Sequence, residues 1–231
     1  MHPSGSPHIG GTRDCLGSTD SGPQRLGTVT NRSAWAGWIG YVRAMSTEAV
    51  RRLHDSESGA VWDRFDDEFD FRPSIYEFPG IAEPVGSSTW DLGAIRDEPG
   101  EQLLDRYEQI LLSGLSASAA PGMELLVLDW QHTCYAVRPD LPTSDMFLPH
   151  AIGKPHLAGW PLSPYPNGDY CIYLASDFAL GSFGHPWEQT VCVFGKRLLA
   201  RVAAPLDELL GPAIRRDGLA TGPAPARPKA G

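Results

Sequence analysis

Residues Tyr165–Val202 read Y-P-N-G-D-Y-C-I-Y-L-A-S-D-F-A-L-G-S-F-G-H-P-W-E-Q-T-V-C-V-F-G-K-R-L-L-A-R-V, and this pattern decides the fold. Pro166-Asn167-Gly168-Asp169 signals a turn, because Asn-Gly accepts the positive φ angles of a type I′ turn. Tyr170–Ala175 and Gln189–Phe194 are short runs of β-branched and aromatic residues, which predicts two strands. Between them, Ser176–Glu188 reads as a compact loop of glycine, aromatic side chains and His185. Gly195 opens a helix that carries Leu198, Leu199 and Val202 at helical spacing. Pro205 should interrupt that helix, because its ring clashes with the preceding turn and it has no N–H to donate. A second short helical piece is expected through Leu209 and Leu210.

Upstream, Met123–Val137 (M-E-L-L-V-L-D-W-Q-H-T-C-Y-A-V) is rich in leucine, β-branched and aromatic residues. It fits one long strand or a hairpin turning near Gln131-His132. On one strand His132 and Cys134 would share a face; across a turn they need not. Glu101–Leu112 is the clearest helix, with Leu103, Leu104, Tyr107, Ile110 and Leu111 along one side and Gly114 as a C-terminal stop. Residues 71–98 and 138–166 are Pro-rich and loop-like, with I-Y-E-F and S-S-T-W-D-L as short strands or sheet cover. A helix is expected from Ser46, capped by Ser46 or Thr47 and weakened at Gly59. Beyond it Val61, Trp62, Phe65 and Phe69 recur at helical spacing, with Asp63, Asp66, Asp67 and Asp70 on a solvated side. That Asp run lacks the glycine and glutamate spacing of a calcium loop.

These elements predict an α+β domain: an antiparallel sheet of four to six strands with helices packed mainly on one face. The domain is expected over residues 45–210. Residues 1–44, rich in Gly, Ser and Pro, bury too little apolar area to offset their ordering entropy, so they read as a disordered leader ahead of a start at Met45. Residues 211–231, dominated by Pro, Ala, Gly and basic side chains, read as a disordered tail.

Composition narrows the function classes. Apolar residues make up 42% of the 231-residue chain, enough for a core. No stretch approaches the ~18 consecutive apolar residues of a membrane span, and the N-terminus lacks a secretory pattern, so a cytoplasmic address is expected. The four cysteines include no Cys-x-x-Cys pair, and Cys134, Cys171 and Cys192 sit among apolar neighbours as free thiols do. The charge of -9 is uneven: residues 55–108 alone carry fifteen acidic and four basic side chains. Such a surface argues against nucleic acid and anionic membranes, and suits a basic protein partner.

W-D-R-F-D-D-E-F-D-F-R-P-S, L-D-W-Q-H-T-C-Y, P-N-G-D-Y-C-I-Y-L-A-S-D-F and G-S-F-G-H-P-W-E-Q-T-V-C-V-F-G follow one another in this order. Together, over about Val61 to Leu199, they resemble the bacterial family known as domain of unknown function 2716. The resemblance implies a compact cytosolic domain and carries over no catalytic residues.

Phosphate-loop, dinucleotide-turn, H-E-x-x-H and G-x-S-x-G patterns are absent; Gly181-Ser182-Phe183-Gly184 only superficially matches the last. The catalytic candidates are Asp129 and His132 at the end of one strand, with Asp177 and His185 in the Ser176–Glu188 loop. An imidazole beside carboxylates suits general acid–base work. Asp169 and Asp177 equally suit turn capping. A zinc set of His132, Cys134 and His185 with Cys171 or Asp177 matches no strong spacing, so no metal and no cofactor are expected. The binding candidates are Trp187, Glu188, Phe183 and Trp160, because aromatic residues on loops are favoured protein-contact anchors. The leading reading is a non-catalytic protein that binds another protein, of a regulatory or toxin-neutralising type. The alternative is a hydrolase-like or metal-dependent enzyme.

Overall fold

The computed structural model describes residues 48–97, 101–142 and 153–222. The leader expected at 1–44 and the start at Met45 lie outside them, as do residues 223–231. The described residues form a nine-stranded sheet in which every neighbouring pair is antiparallel. Its strands are β1 (Val50–Arg52), β2 (Ser87–Asp91), β3 (Leu125–Asp129), β4 (Tyr135–Val137), β5 (Cys171–Ala175), β6 (Gly181–His185), β7 (Thr190–Phe194), β8 (Arg215–Arg216) and β9 (Leu219–Ala220). They lie in the order β1-β4-β3-β5-β6-β7-β2-β8-β9. The helices are α1 (Asp55–Phe69), α2 (Gly93–Asp97), α3 (Gln102–Ser118) and α4 (Lys196–Leu210). None is long and apolar enough to cross a membrane.

The opening stretch supplies the centre. β5, β6 and β7 form a meander in which every strand residue is buried. A strand buried on both sides needs cover on both sides. Across the sheet, Ile172, Phe183, Cys192 and Thr89 stand in register on one face, and Tyr173, Ser182, Val193 and Ser88 on the other. Tyr173 and Val193 pack with Tyr107, Leu111 and Leu115 of α3 and with Leu198, Val202 and Leu206 of α4. On the opposite face α1 sets Phe65 over Phe183 (6.3 Å) and Phe69 over Phe194 (5.1 Å). Ile95 of α2 joins the same core as α3 and α4, so three helices pack on that face and α1 covers the other. Burying each such side chain contributes about 1.5–3 kcal/mol.

Several expectations change. The sheet has nine strands instead of four to six, because β1, β4, β8 and β9 are two or three residues long and carry no readable period. They form by pairing onto existing edges. Ser176–Glu188 is not all loop: β6 runs through it, joined to β5 by a tight turn in which Phe178 has φ 65°. The chain turns between β3 and β4, so the hairpin alternative for 123–137 holds. The helix expected from Ser46 gives way to β1, and Gly59 lies inside α1. Gly114 lies inside α3, where it lets the helix approach Val202 of α4. Pro205 lies inside α4 without ending it. Within the tail expected from residue 211, Ala213 is buried and β8 pairs with β2.

Candidate functional site

One end of the sheet gathers most of the sequence candidates. Tyr170, immediately ahead of β5, is fully buried at its centre. Its ring lies 4.9 Å from His185, 5.2 Å from Phe71, 5.3 Å from Trp187, 5.4 Å from Trp130 and 5.6 Å from Phe183. Its hydroxyl accepts from the Ser74 N–H at 2.8 Å and donates to the Ser74 carbonyl at 3.1 Å. The Ser74 hydroxyl oxygen accepts from the N–H groups of Tyr76 (3.1 Å) and Glu77 (2.9 Å). The Pro-rich segment is thus clamped to the sheet through the Ser74 backbone and turned outward by the Ser74 hydroxyl. It presents Ile75 (47% exposed), Tyr76 (83%) and Phe78 (42%) beside Trp187 (38%). Phe78 stands edge-on to His185 at 5.0 Å. Gly80, at φ 81°, lies so close that a β-carbon there would meet the His185 ring at 3.0 Å. Beside this ridge is a cleft of about 200 Å³ whose lining includes Asp70, Arg72, Glu77 and Phe78.

The four catalytic candidates do not assemble. His185 is fully buried, and its Nδ1 accepts the Glu188 N–H at 3.0 Å, so that nitrogen carries the lone pair of a structural histidine. Asp177 lies past the far end of β5 from Asp129, a strand length of ~13 Å away. There its carboxylate accepts the Ala179 N–H at 3.0 Å, the turn-capping role. Asp129 and His132 do meet, and Asp169 joins them: His132 Nδ1 is 3.4 Å from Asp129 Oδ1 and 3.3 Å from Asp169 Oδ2. Burial and the neighbouring Asp169 push the Asp129 carboxyl above its ordinary range, against the pull of His132.

Of the binding candidates, Trp187 alone reaches the surface. Phe183 lies in the core under Tyr170, and Trp160 packs 5.7 Å from Tyr173. Glu188 is 5% exposed and is held by Arg215 at 2.7 Å and by the Thr190 hydroxyl at 2.8 Å. The zinc set of His132, Cys134, His185 and Cys171 is not gathered either. Among the described residues, two groups bring three ligating atoms together, Asp105–Glu108–His156 and Asp129–His132–Asp169, and neither holds a cysteine. Burial pushes the Cys192 thiol up to about 12 and the Cys171 thiol well above its ordinary value, so both stay protonated.

Sequence reasoning missed three features. Tyr76 and Phe78 sit in I-Y-E-F, whose alternation suits a covered strand as well as an exposed ridge. Arg215 reads as tail, yet it bridges Glu83 and Glu188 at 2.7 Å each. Glu108 is a buried carboxylate four residues after Leu104 on α3, a position that a charged side chain occupies only with partners. Those partners are His156 at 2.8 Å, the Ser163 hydroxyl and, at 3.7 Å, Lys154. That apolar stripe interrupted by a glutamate was the legible signal.

Comparison with known proteins adds a family and no chemistry. A segment of 101 residues, 43% of this chain, is 32% identical to the uncharacterized protein YxiI of Bacillus subtilis (strain 168). The matched segment spans 56% of that relative's length. No solved structure matches the chain. The family model described as protein of unknown function (DUF2716) matches residues 52–199, from β1 into α4 and through the whole aromatic end of the sheet, and the chain belongs to that family.

Proposed function

We propose that this is a non-catalytic, cytoplasmic protein that binds another protein, and that the ridge of Ile75, Tyr76, Phe78 and Trp187 is its contact surface. The observation that carries this reading is the exposure of Ile75, Tyr76 and Phe78 on a backbone that Tyr170 clamps at Ser74, with the exposed Trp187 of the β6–β7 turn beside them. Anchors that are already rigid lose little freedom on binding, which is the economy of interface hot spots. Asp70 and Glu77 border the ridge, and residues 55–108 are strongly acidic, so the partner's complementary surface is apolar with a basic rim. A regulatory or toxin-neutralising role fits such a binder.

Site-directed photo-crosslinking in the native host tests this. A photoreactive residue at position 76 is expected to give one discrete adduct, and one at the exposed Arg201 of α4 none. With the captured partner in hand, Tyr76→Ser together with Trp187→Ser should weaken binding by about 30-fold or more, the scale of a lost hot spot. Equal adducts from both positions, or unchanged affinity in the double variant, would remove the ridge from consideration.

A further inference from the structure

We propose that Asp129, His132 and Asp169 form a zinc site with three protein ligands and a water in the fourth position. Some charged pairs in this protein close to hydrogen-bond length, 2.6 Å for Arg72–Asp70, 2.7 Å for Arg96–Asp97 and 2.8 Å for His156–Glu108, and others stand farther apart, 3.8 Å for Arg106–Glu208 and 4.0 Å for His156–Asp105. His132 Nδ1 stands 3.4 and 3.3 Å from its two carboxylates, outside the range of about 2.7–3.2 Å for a direct N–H···O bond. Ligands of a tetrahedral zinc, at bonds of about 2.0–2.1 Å, are separated by the tetrahedron's edge of about 3.3–3.4 Å. The three ligating atoms all lie within 4.8 Å of one another.

The scaffold orients each ligand. Asp129 ends β3 and pairs across the sheet with Cys171 of β5. Its carbonyl accepts the His132 N–H at 3.2 Å, and Gln131 takes φ 64°, which brings the imidazole back over the strand end. Asp169 Oδ1 accepts the Tyr170 N–H at 2.8 Å, which leaves Oδ2 turned toward His132. Such outer bonds are how a protein aims a carboxylate at a metal. The His132 side chain is 62% exposed, so the fourth position is open to a water. An imidazole with two carboxylates suits a borderline dication better than a thiol-seeking ion. Asp105–Glu108–His156 makes the contrast, because there Lys154 Nζ lies 3.1 Å from Asp105 and 3.7 Å from Glu108 and supplies the cation itself.

The test is titration of the tag-free full-length chain with Zn²⁺ by calorimetry, paired with Co²⁺ absorption spectroscopy. Binding of one equivalent is expected. His132→Ala and Asp169→Asn should each weaken it by about 100-fold or more, the upper end of what even outer-shell losses cost. Asp67→Asn, on the exposed side of α1, should bind as the parent does. The Co²⁺ spectrum should show four-coordinate d–d bands without a thiolate charge-transfer band. No saturable binding, unchanged binding in His132→Ala, or a thiolate band would each overturn the proposal. Circular dichroism checks that the variants fold.

Discussion

Arg215→Met lowers the unfolding free energy by about 3–5 kcal/mol, the cost of leaving buried charges without their partner. The Arg215 guanidinium donates to Glu188 at 2.7 and 2.9 Å and to Glu83 Oε1 at 2.9 and 2.7 Å. Hydroxyls of Thr89 and Thr190 each donate a further bond to these carboxylates, at 2.9 and 2.8 Å. The side chains of Glu83 and Glu188 are 1% and 6% exposed, so neither carboxylate can turn to water when the guanidinium is gone. Urea unfolding of parent and variant measures the loss. Adding Glu83→Gln and Glu188→Gln to the variant should recover much of it, because the uncompensated charge is then removed.

The same network sets a pH dependence. Burial pushes the Glu188 carboxyl up, but hydrogen bonds and charge from Arg215, with the Thr190 bond, outweigh it and hold the group below its ordinary value. A carboxyl depressed in the folded state contributes stability above its unfolded pKa of about 4.3 and loses it as pH falls through the folded value. Parent stability should therefore decline in that acid window. The variant's deficit should shrink there as the orphaned Glu188 carboxylate takes up a proton. A deficit that stays constant down to the acid limit would show that packing, and not the ion pairs, carries the effect.

Gly181→Ala destabilises by about 3 kcal/mol or more, at the upper end of overpacking costs. A β-carbon at Gly181 would lie 2.3 Å from the Tyr173 carbonyl oxygen, 2.8 Å from Leu174 and 3.0 Å from Phe194. Gly181 pairs with both Leu174 and Phe194, so the opposing backbone is fixed by two ladders at once. Gly114→Ala should cost less, although its β-carbon would stand 2.2 Å from Val202 Cγ1, because the obstacle is a side chain. Val202→Ala added to Gly114→Ala should restore part of the loss, whereas no single side-chain change rescues Gly181→Ala. Thermal unfolding of the four proteins separates the two cases. Equal losses at the two glycines would contradict this account of the central sheet.

These glycines show where local reading stops. Gly181-Ser182-Phe183-Gly184 looks like part of a loop because glycine and serine are poor strand formers in isolation. They lie in β6 because β5 and β7 close on both sides, leaving no room for a β-carbon at Gly181. Gly114 reads as a helix stop for the same local reason, and tertiary contact with α4 makes it a point of close approach. His185 and Glu188 illustrate the reverse error: charge and imidazole chemistry suggested a surface site, and burial made both structural.

What chain order alone determines here is the set of patterned elements: strands within Tyr170–Phe194, the apolar faces of α1, α3 and α4, the β3 segment and the free buried cysteines. Periodicity encodes these because each side chain's facing depends only on its neighbours a few residues away. Tertiary structure decided the placing of α1 on the face opposite the other helices, the four short outer strands, the recruitment of Arg215 and the meeting of Asp169 with Asp129 and His132. The two side-chain clusters join residues far apart in the chain, 37 positions between His132 and Asp169 and 132 between Glu83 and Arg215. Tyr165–Val202 holds the sheet's centre, and the surfaces with a use to propose for them are completed by segments that fold back onto it.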